Sequence, residues 1–175
     1  MTLSWLYDLP FGRGKRFLNG TSRIVDAFLG GWQINGILTF RSGSPFTVTQ
    51  PGDAPNQGDG SPRPDQIGNP NEIDNRTIDH FFNTGAFASA APFRWGTAGR
   101  NTVIGPGINN WDFSLFKSFA LDEKRKLQFR AEAFNLMNHP EFGFPGSAFG
   151  TPQFGRISGT NRDPRDIQLS LKFLW

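Results

Sequence analysis

Cysteine is absent, methionine occurs only twice, and no apolar run approaches the roughly 18 residues that a membrane-spanning helix needs. The missing cysteine excludes a disulfide scaffold and a thiolate metal site. The missing apolar run, with a mean hydropathy of −0.43, excludes a transmembrane helix. It does not exclude a transmembrane strand, whose alternate residues are polar and whose average is therefore hydrophilic. Charge of one sign is scarce as well. The net charge is +3, and the basic residues are scattered rather than gathered on one stripe, so nucleic acid has no electrostatic footprint here. The first residues are not expected to act as an export leader, because such a leader has a basic start and then an apolar run of about 7–15 residues, whereas here the basic residues follow Pro10. As written the chain is not expected to direct its own export, and it reads as an excerpt of a longer exported protein or a truncated reading frame.

What is plentiful is glycine (21), proline (13) and phenylalanine (19), a mixture suited to short strands and long irregular loops. At the end of the chain Ile167, Leu169, Leu171, Phe173 and Trp175 take every second position, with Gln168, Ser170 and Lys172 between them and Leu174 as the misfit. Period two sends the apolar set to one face of a strand and the polar set to the other. Phe113, Leu115 and Phe119 alternate with Asp112, Ser114 and Ser118, although Lys117 breaks the apolar row and Phe116 the polar one. Leu127, Phe129, Ala131 and Ala133 alternate with Gln128, Arg130 and Glu132; Trp32, Ile34, Gly36, Leu38 and Phe40 alternate with Gln33, Asn35, Thr39 and Arg41, with Ile37 the misfit. A weaker run, Leu3, Trp5, Tyr7 and Leu9, opens the chain. Each run is close to the roughly 9–11 residues that a tilted strand needs to cross a bilayer.

A soluble β-sandwich alternates in the same way. Two features favour a barrel. Charged Arg41, Arg130, Glu132 and Lys172 lie on the polar face, as a watery lumen allows, and the connections alternate in length. The link Leu121 to Arg125 is short and charged, whereas Thr49 to Asn110 and Met137 to Pro164 are long and rich in Gly, Pro and Asn; outer-membrane barrels pair short periplasmic turns with long outer loops. The expected fold is all-β: an antiparallel up-and-down meander forming part of a transmembrane β-barrel across residues 1–175, with outer loops at about 50–109 and 137–164. Pro10 to Gly31 then falls in the periplasm, with a short helix over Arg23–Leu29, and Trp5, Trp32 and Trp175 fall near the periplasmic ends of their strands, opposite Trp111.

Several features invite chemistry and do not sustain it. Gly12-Arg13-Gly14-Lys15 lacks the second glycine spacing and the Ser/Thr of a phosphate loop and reads as a turn. His80 and His139 lack the spacing of a helical metal site, and Asp53, Asp59 and Asp65 lack the alternate ligands and closing Glu of a calcium loop. No nucleophile–base set has recognisable context. No enzymatic activity, metal or cofactor is expected. Phe81, Phe82, Phe87, Phe93 and Trp95 make the first long loop unusually aromatic. They either pack it into a folded lid or serve as ligand contacts.

The order of local motifs resembles the C-terminal barrel region of Oar-like TonB-dependent receptors. The matching pieces are Tyr7 to Gly12 followed by Gly14-Lys15-Arg16, Gly31 to Gly36, Ser42 to Val48, Phe82 to Phe87, Gly99 to Thr102 with Gly105-Pro106-Gly107, Asn110 to Lys117, and Phe129 to Leu136. The resemblance covers nearly the whole chain. It implies a barrel wall with ligand-facing outer loops, contacting outer-membrane lipid, the rest of the receptor barrel and its plug, and TonB only through an N-terminal part that these residues do not include. It also implies that Ile167, Leu169, Leu171, Phe173 and Trp175 are the assembly signal read by the barrel insertion machinery. The export signal, regulatory β-sandwich, plug and TonB-contacting segment of such receptors have no counterpart here, and about five strands are visible where the smallest barrels have about 8, so a fragment is expected. A secreted β-sandwich that binds carbohydrate through its loop aromatics is the rival reading.

Overall fold

In the computed structural model, which describes residues 1–56, 58, 62–122 and 124–175, the chain divides into two compact units. The first comprises residues 1–41, 109–140 and 163–175; the second comprises 42–108 and 141–162. Asp59 and Glu123 lie outside the described residues.

The first unit is one five-stranded sheet. Its strands are β1 (Thr2–Asp8), β2 (Trp32–Arg41), β7 (Ile108–Ala120), β8 (Lys126–Phe134) and β9 (Asp166–Leu174), in the order β1-β2-β7-β8-β9. That order is the expected meander, interrupted between β2 and β7 by most of the second unit. Pairing is antiparallel for β1 with β2, β7 with β8, and β8 with β9. At one end of β2 the Gly31 carbonyl accepts from the Ser118 amide (2.9 Å), and at the other Phe40 meets the ring of Trp111 edge-on, so β2 and β7 run antiparallel too. Helix α1 (Arg23–Leu29) lies in the β1–β2 connection, where the Ser22 hydroxyl accepts from the Val25 amide (3.4 Å) as its N-terminal cap. It stops at Gly30, and Gly31 takes φ +67°, a conformation that favours glycine.

Local chemistry explains where the strands end. In the β7–β8 turn the Asp122 carboxylate accepts from the amides of Lys124 (3.0 Å) and Arg125 (2.7 Å) and pairs with the Arg125 guanidinium. Those contacts, led by Arg125, hold its carboxyl below the ordinary carboxylate range. At the far end of β8, Asn135 turns the chain in the left-handed region (φ 49°) while its side chain bonds both the amide and the carbonyl of His139.

The second unit carries two short sheets, β3 (Pro45–Phe46) with β6 (Val103–Ile104) and β4 (Asp65–Gln66) with β5 (Phe87–Ala88). It has the dry centre that the sheet unit lacks: Val48, Phe82, Ala86, Phe87, Ala98 and Val103 are buried, with Phe46, Phe149 and Phe154 packed around them. Phe82 meets Phe46, Phe87 and Phe154 edge-on at 5.2–6.2 Å, the arrangement that ring quadrupoles favour. The two long connections are stitched together by backbone bonds, including Thr49 to Ser147 (3.0 Å), Phe149 to Thr49 (2.8 Å) and Phe81 to Gly155 (2.9 Å). They form one folded body rather than two separate loops.

Candidate functional site

The register assigns every strand residue to a face. Leu3 stands opposite Leu38, Trp5 opposite Gly36 and Tyr7 opposite Ile34; in the other pairs Phe113 faces Ala133, Leu115 faces Ala131, Ala131 faces Leu169 and Leu127 faces Phe173. The complementary face pairs Thr2 with Thr39, Asp8 with Gln33, Ser114 with Glu132, Ser118 with Gln128, Arg130 with Ser170 and Glu132 with Gln168. One side of the sheet is therefore predominantly apolar, broken by Lys117, and the other predominantly polar, broken by Leu6, Ile37, Phe116 and Leu174. Among the described residues nothing seals the apolar side: Leu3, Tyr7, Ile167, Leu169, Leu171 and Phe173 are all exposed, Leu169 at 67%. In a soluble domain such a surface would be a large liability; in a bilayer it is the lipid contact.

The polar side is knit by side chains. The Arg130 guanidinium donates to the Gln128 carbonyl oxygen (2.8 Å) and lies 4.7 Å from the centre of the Phe116 ring. Phe116, the apolar misfit in that row, is thus buried beneath a cation. The opposite misfit, Lys117, is resolved in a comparable way. Its ammonium sits on the apolar face beside the rings of Trp32 and Phe119, 5.5 and 5.0 Å from their centres, and donates to the carbonyl of Gly30 just beyond α1. A charge that breaks the alternation is the one sequence signal that marked this site.

Of the five expected assembly-signal residues, Ile167, Leu169, Leu171 and Phe173 share the apolar face of edge strand β9. Trp175 lies beyond the strand, exposed and stacked on Phe173 (6.0 Å), and lines a hollow with Asp122, Lys124 and Arg125. Trp32 and Trp175 occupy the same end of the sheet as that turn. Trp5 does not, which corrects the expectation for it: it pairs with Gly36 in mid-strand, where its indole lies over the glycine and reaches Phe113 on the third strand (6.2 Å).

The five loop aromatics divide. Phe82 and Phe87 are buried in the core of the second unit, and Phe81 is half-buried with the Arg76 guanidinium 5.3 Å over its ring. Phe93 (78% exposed) and Trp95 face outward. The other core members, Phe46, Val48, Ala86, Ala98, Val103, Phe149 and Phe154, were not singled out by loop composition, because burial in an irregular region has no period to reveal it. Both histidines close local turns: the His80 amide donates to the Thr77 hydroxyl (3.0 Å), and the His139 amide donates to the Asn135 side chain (2.9 Å). Gly12 to Lys15 is a turn, closed by the Lys15 amide on the Gly12 carbonyl (3.1 Å). Asp65 pairs with Arg94 and accepts from the Thr97 amide (3.0 Å), and these contacts, Arg94 first, lower its pKa. Asp53 accepts from the Gly58 amide (2.8 Å). Among the described residues no three metal-ligating groups converge. A polar cleft in this unit is lined by Thr77, Asp79, His80, Thr84, Phe154 and Arg156, with an Arg156–Asp79 ion pair (2.7 Å) in its wall.

A family model described as an outer membrane beta barrel domain matches residues 1–168. The chain belongs to that family. The open apolar face is therefore the lipid-facing wall of an outer-membrane barrel, and the five strands are part of that wall. No curated protein and no solved structure matched the chain.

Proposed function

We propose that the chain forms the closing wall and outward-facing loop unit of an Oar-like TonB-dependent receptor, which admits a ligand by gated passage and performs no covalent chemistry. The observation that carries this reading is the predominant separation of an apolar from a polar face across five strands, joined to connections long enough to fold with their own aromatic core. Phe93 and Trp95 supply exposed aromatic surface for a ligand, and the cleft beside Asp79 and Arg156 supplies polar contacts. Phe82 and Phe87 act by holding that surface in shape. Ile167, Leu169, Leu171, Phe173 and Trp175 engage the insertion machinery before the barrel closes. The remaining receptor strands pair with the sheet edges, since unpaired backbone is costly in lipid. The plug occupies the lumen against the polar face, and TonB acts through the receptor's N-terminal part.

Labelling of the exported receptor tests the topology. A membrane-impermeant thiol reagent on intact cells should modify Phe93→Cys, and should modify Asp122→Cys only after the outer membrane is permeabilised. The reverse pattern overturns the assignment of outer and periplasmic ends. Retention of the purified receptor on immobilised TonB periplasmic domain supports the receptor part of the reading; a correctly inserted barrel that is not retained rejects it.

A further inference from the structure

The β1–β2 connection is much longer than the β7–β8 turn at the same end of the sheet, and its composition differs. Between Pro10 and Gly31 it exposes Phe17, Leu18, Ile24, Phe28 and Leu29, with Ile24 at 74% and Phe28 at 71%. It also holds Arg13, Lys15, Arg16 and Arg23 against a single acid, Asp26, so its net charge of +3 equals that of the whole chain. Charge that is scattered along the sequence is concentrated here once the strands are set aside.

The fold fixes which side of the sheet this segment occupies. The Trp32 indole donates to the Phe28 carbonyl (2.8 Å), and the Lys117 ammonium donates to the Gly30 carbonyl while lying beside Trp32 and Phe119. Trp32, Lys117 and Phe119 belong to the apolar, lipid-facing row, so the C-terminal end of α1 is held on the membrane side of the wall and not on the lumen side where a plug would lie. Inside the segment, the Asp26 carboxylate accepts from the Arg13 amide (2.6 Å), and the Phe11 and Phe17 rings pack at 5.8 Å, which ties the basic turn to the helix. Apolar side chains at the rim, continuous with the lipid face and bordered by exposed cations, have the chemistry of a bilayer interface: acyl chain below, phosphate above.

We propose that the β1–β2 connection is an interfacial anchor, with Ile24, Phe28 and Leu29 entering the leaflet at this rim and Arg13, Lys15, Arg16 and Arg23 engaging the headgroups of anionic phospholipid. The proposal rests on the barrel reading and adds a lipid-binding site to it.

These 175 residues contain no cysteine, so a thiol introduced among them is the only one in this part of the wall. Phe28→Cys and, separately, Leu169→Cys are labelled with an environment-sensitive fluorophore in the full-length receptor, reconstituted in vesicles of phosphatidylethanolamine and phosphatidylglycerol carrying lipids spin-labelled high on the acyl chain. Both probes should be blue-shifted and quenched. The Phe28 probe should lose most of its quenching when Arg13, Lys15, Arg16 and Arg23 are all changed to Gln, or when phosphatidylglycerol is replaced by phosphatidylcholine, and the Leu169 probe should not. A quenched Leu169 probe beside an unquenched, water-like Phe28 probe overturns the anchor alone. If neither is quenched, the membrane reading and the anchor fall together. Quenching of Phe28 that ignores both lipid charge and the Gln substitutions refutes the headgroup site.

Discussion

The two units of this chain use the same kind of residue in opposite ways. In the sheet unit the large apolar side chains point outward and stay exposed, and the backbone ladder gives the structure its order; in the loop unit they point inward and lock edge-to-edge around Phe82. The difference lies in the solvent that each unit meets. A strand crossing lipid gains by turning its apolar row out, whereas a loop body standing in water must bury its rings to offset the entropy of ordering a long irregular segment. Similar aromatic content therefore yields a wall in one place and a core in the other.

The largest expected effect breaks the loop core. Phe82→Ala removes the ring at its centre and should cost about 3–5 kcal/mol of loop-unit stability, read as rapid proteolysis within residues 42–108 and 141–162 while the barrel keeps its heat-modifiable mobility on gels. Loss of the barrel along with the loop unit would show that the two do not fold separately. On the sheet, Leu169→Arg places a cation on the lipid face and should cost about 2–4 kcal/mol near the midplane in denaturant-controlled insertion into vesicles. The neighbouring Gln168→Arg, on the polar face opposite Glu132, should stay within about 0.5 kcal/mol. Equal effects would remove the distinction between the faces.

Smaller still is Gly36→Val. A Cβ there falls 2.7 Å from the Trp5 indole carbons, so the ring must leave Phe113; the cost should be about 1–3 kcal/mol, visible as a red shift in Trp emission. The smallest effect concerns pH. Arg94 depresses the Asp65 carboxyl in the folded loop unit. Its stabilisation is therefore complete above the ordinary carboxylate value of about 4 and is lost as pH falls through the depressed one. Protease resistance of the loop unit should decline with falling pH below that point, and Arg94→Gln should make the decline shallower; an unchanged profile would remove this pair as a contributor.

The strands were legible because period two is a physical consequence of the pleat, and it survives in the sequence wherever two solvents flank a sheet. The runs beginning at Trp32, Leu127 and Ile167 became β2, β8 and β9 to within a residue or two, and the short helix expected over Arg23–Leu29 is α1. The loop unit was not legible as a body. Phe46, Val48, Phe149 and Phe154 share a core with Phe82 from which each is separated by more than thirty residues of sequence, and no local pattern encodes such distant packing. Trp5 misled because its neighbours alternate properly; only the gap at Gly36 on the partner strand shows why an indole sits in mid-wall. Lys117 was noticed as a defect in its row, yet its purpose depends on the end of α1, far away in sequence.

The central claim is that β9 divides lipid from water one residue at a time. A cysteine scan from Ile167 to Phe173 in the membrane-inserted barrel, each position carrying a fluorophore exposed in turn to an acyl-chain quencher and an aqueous one, tests it most directly. Positions 167, 169, 171 and 173 should respond to the lipid quencher, and 168, 170 and 172 to the aqueous one. A response that does not alternate, or lipid-row positions shielded from both quenchers, would contradict it.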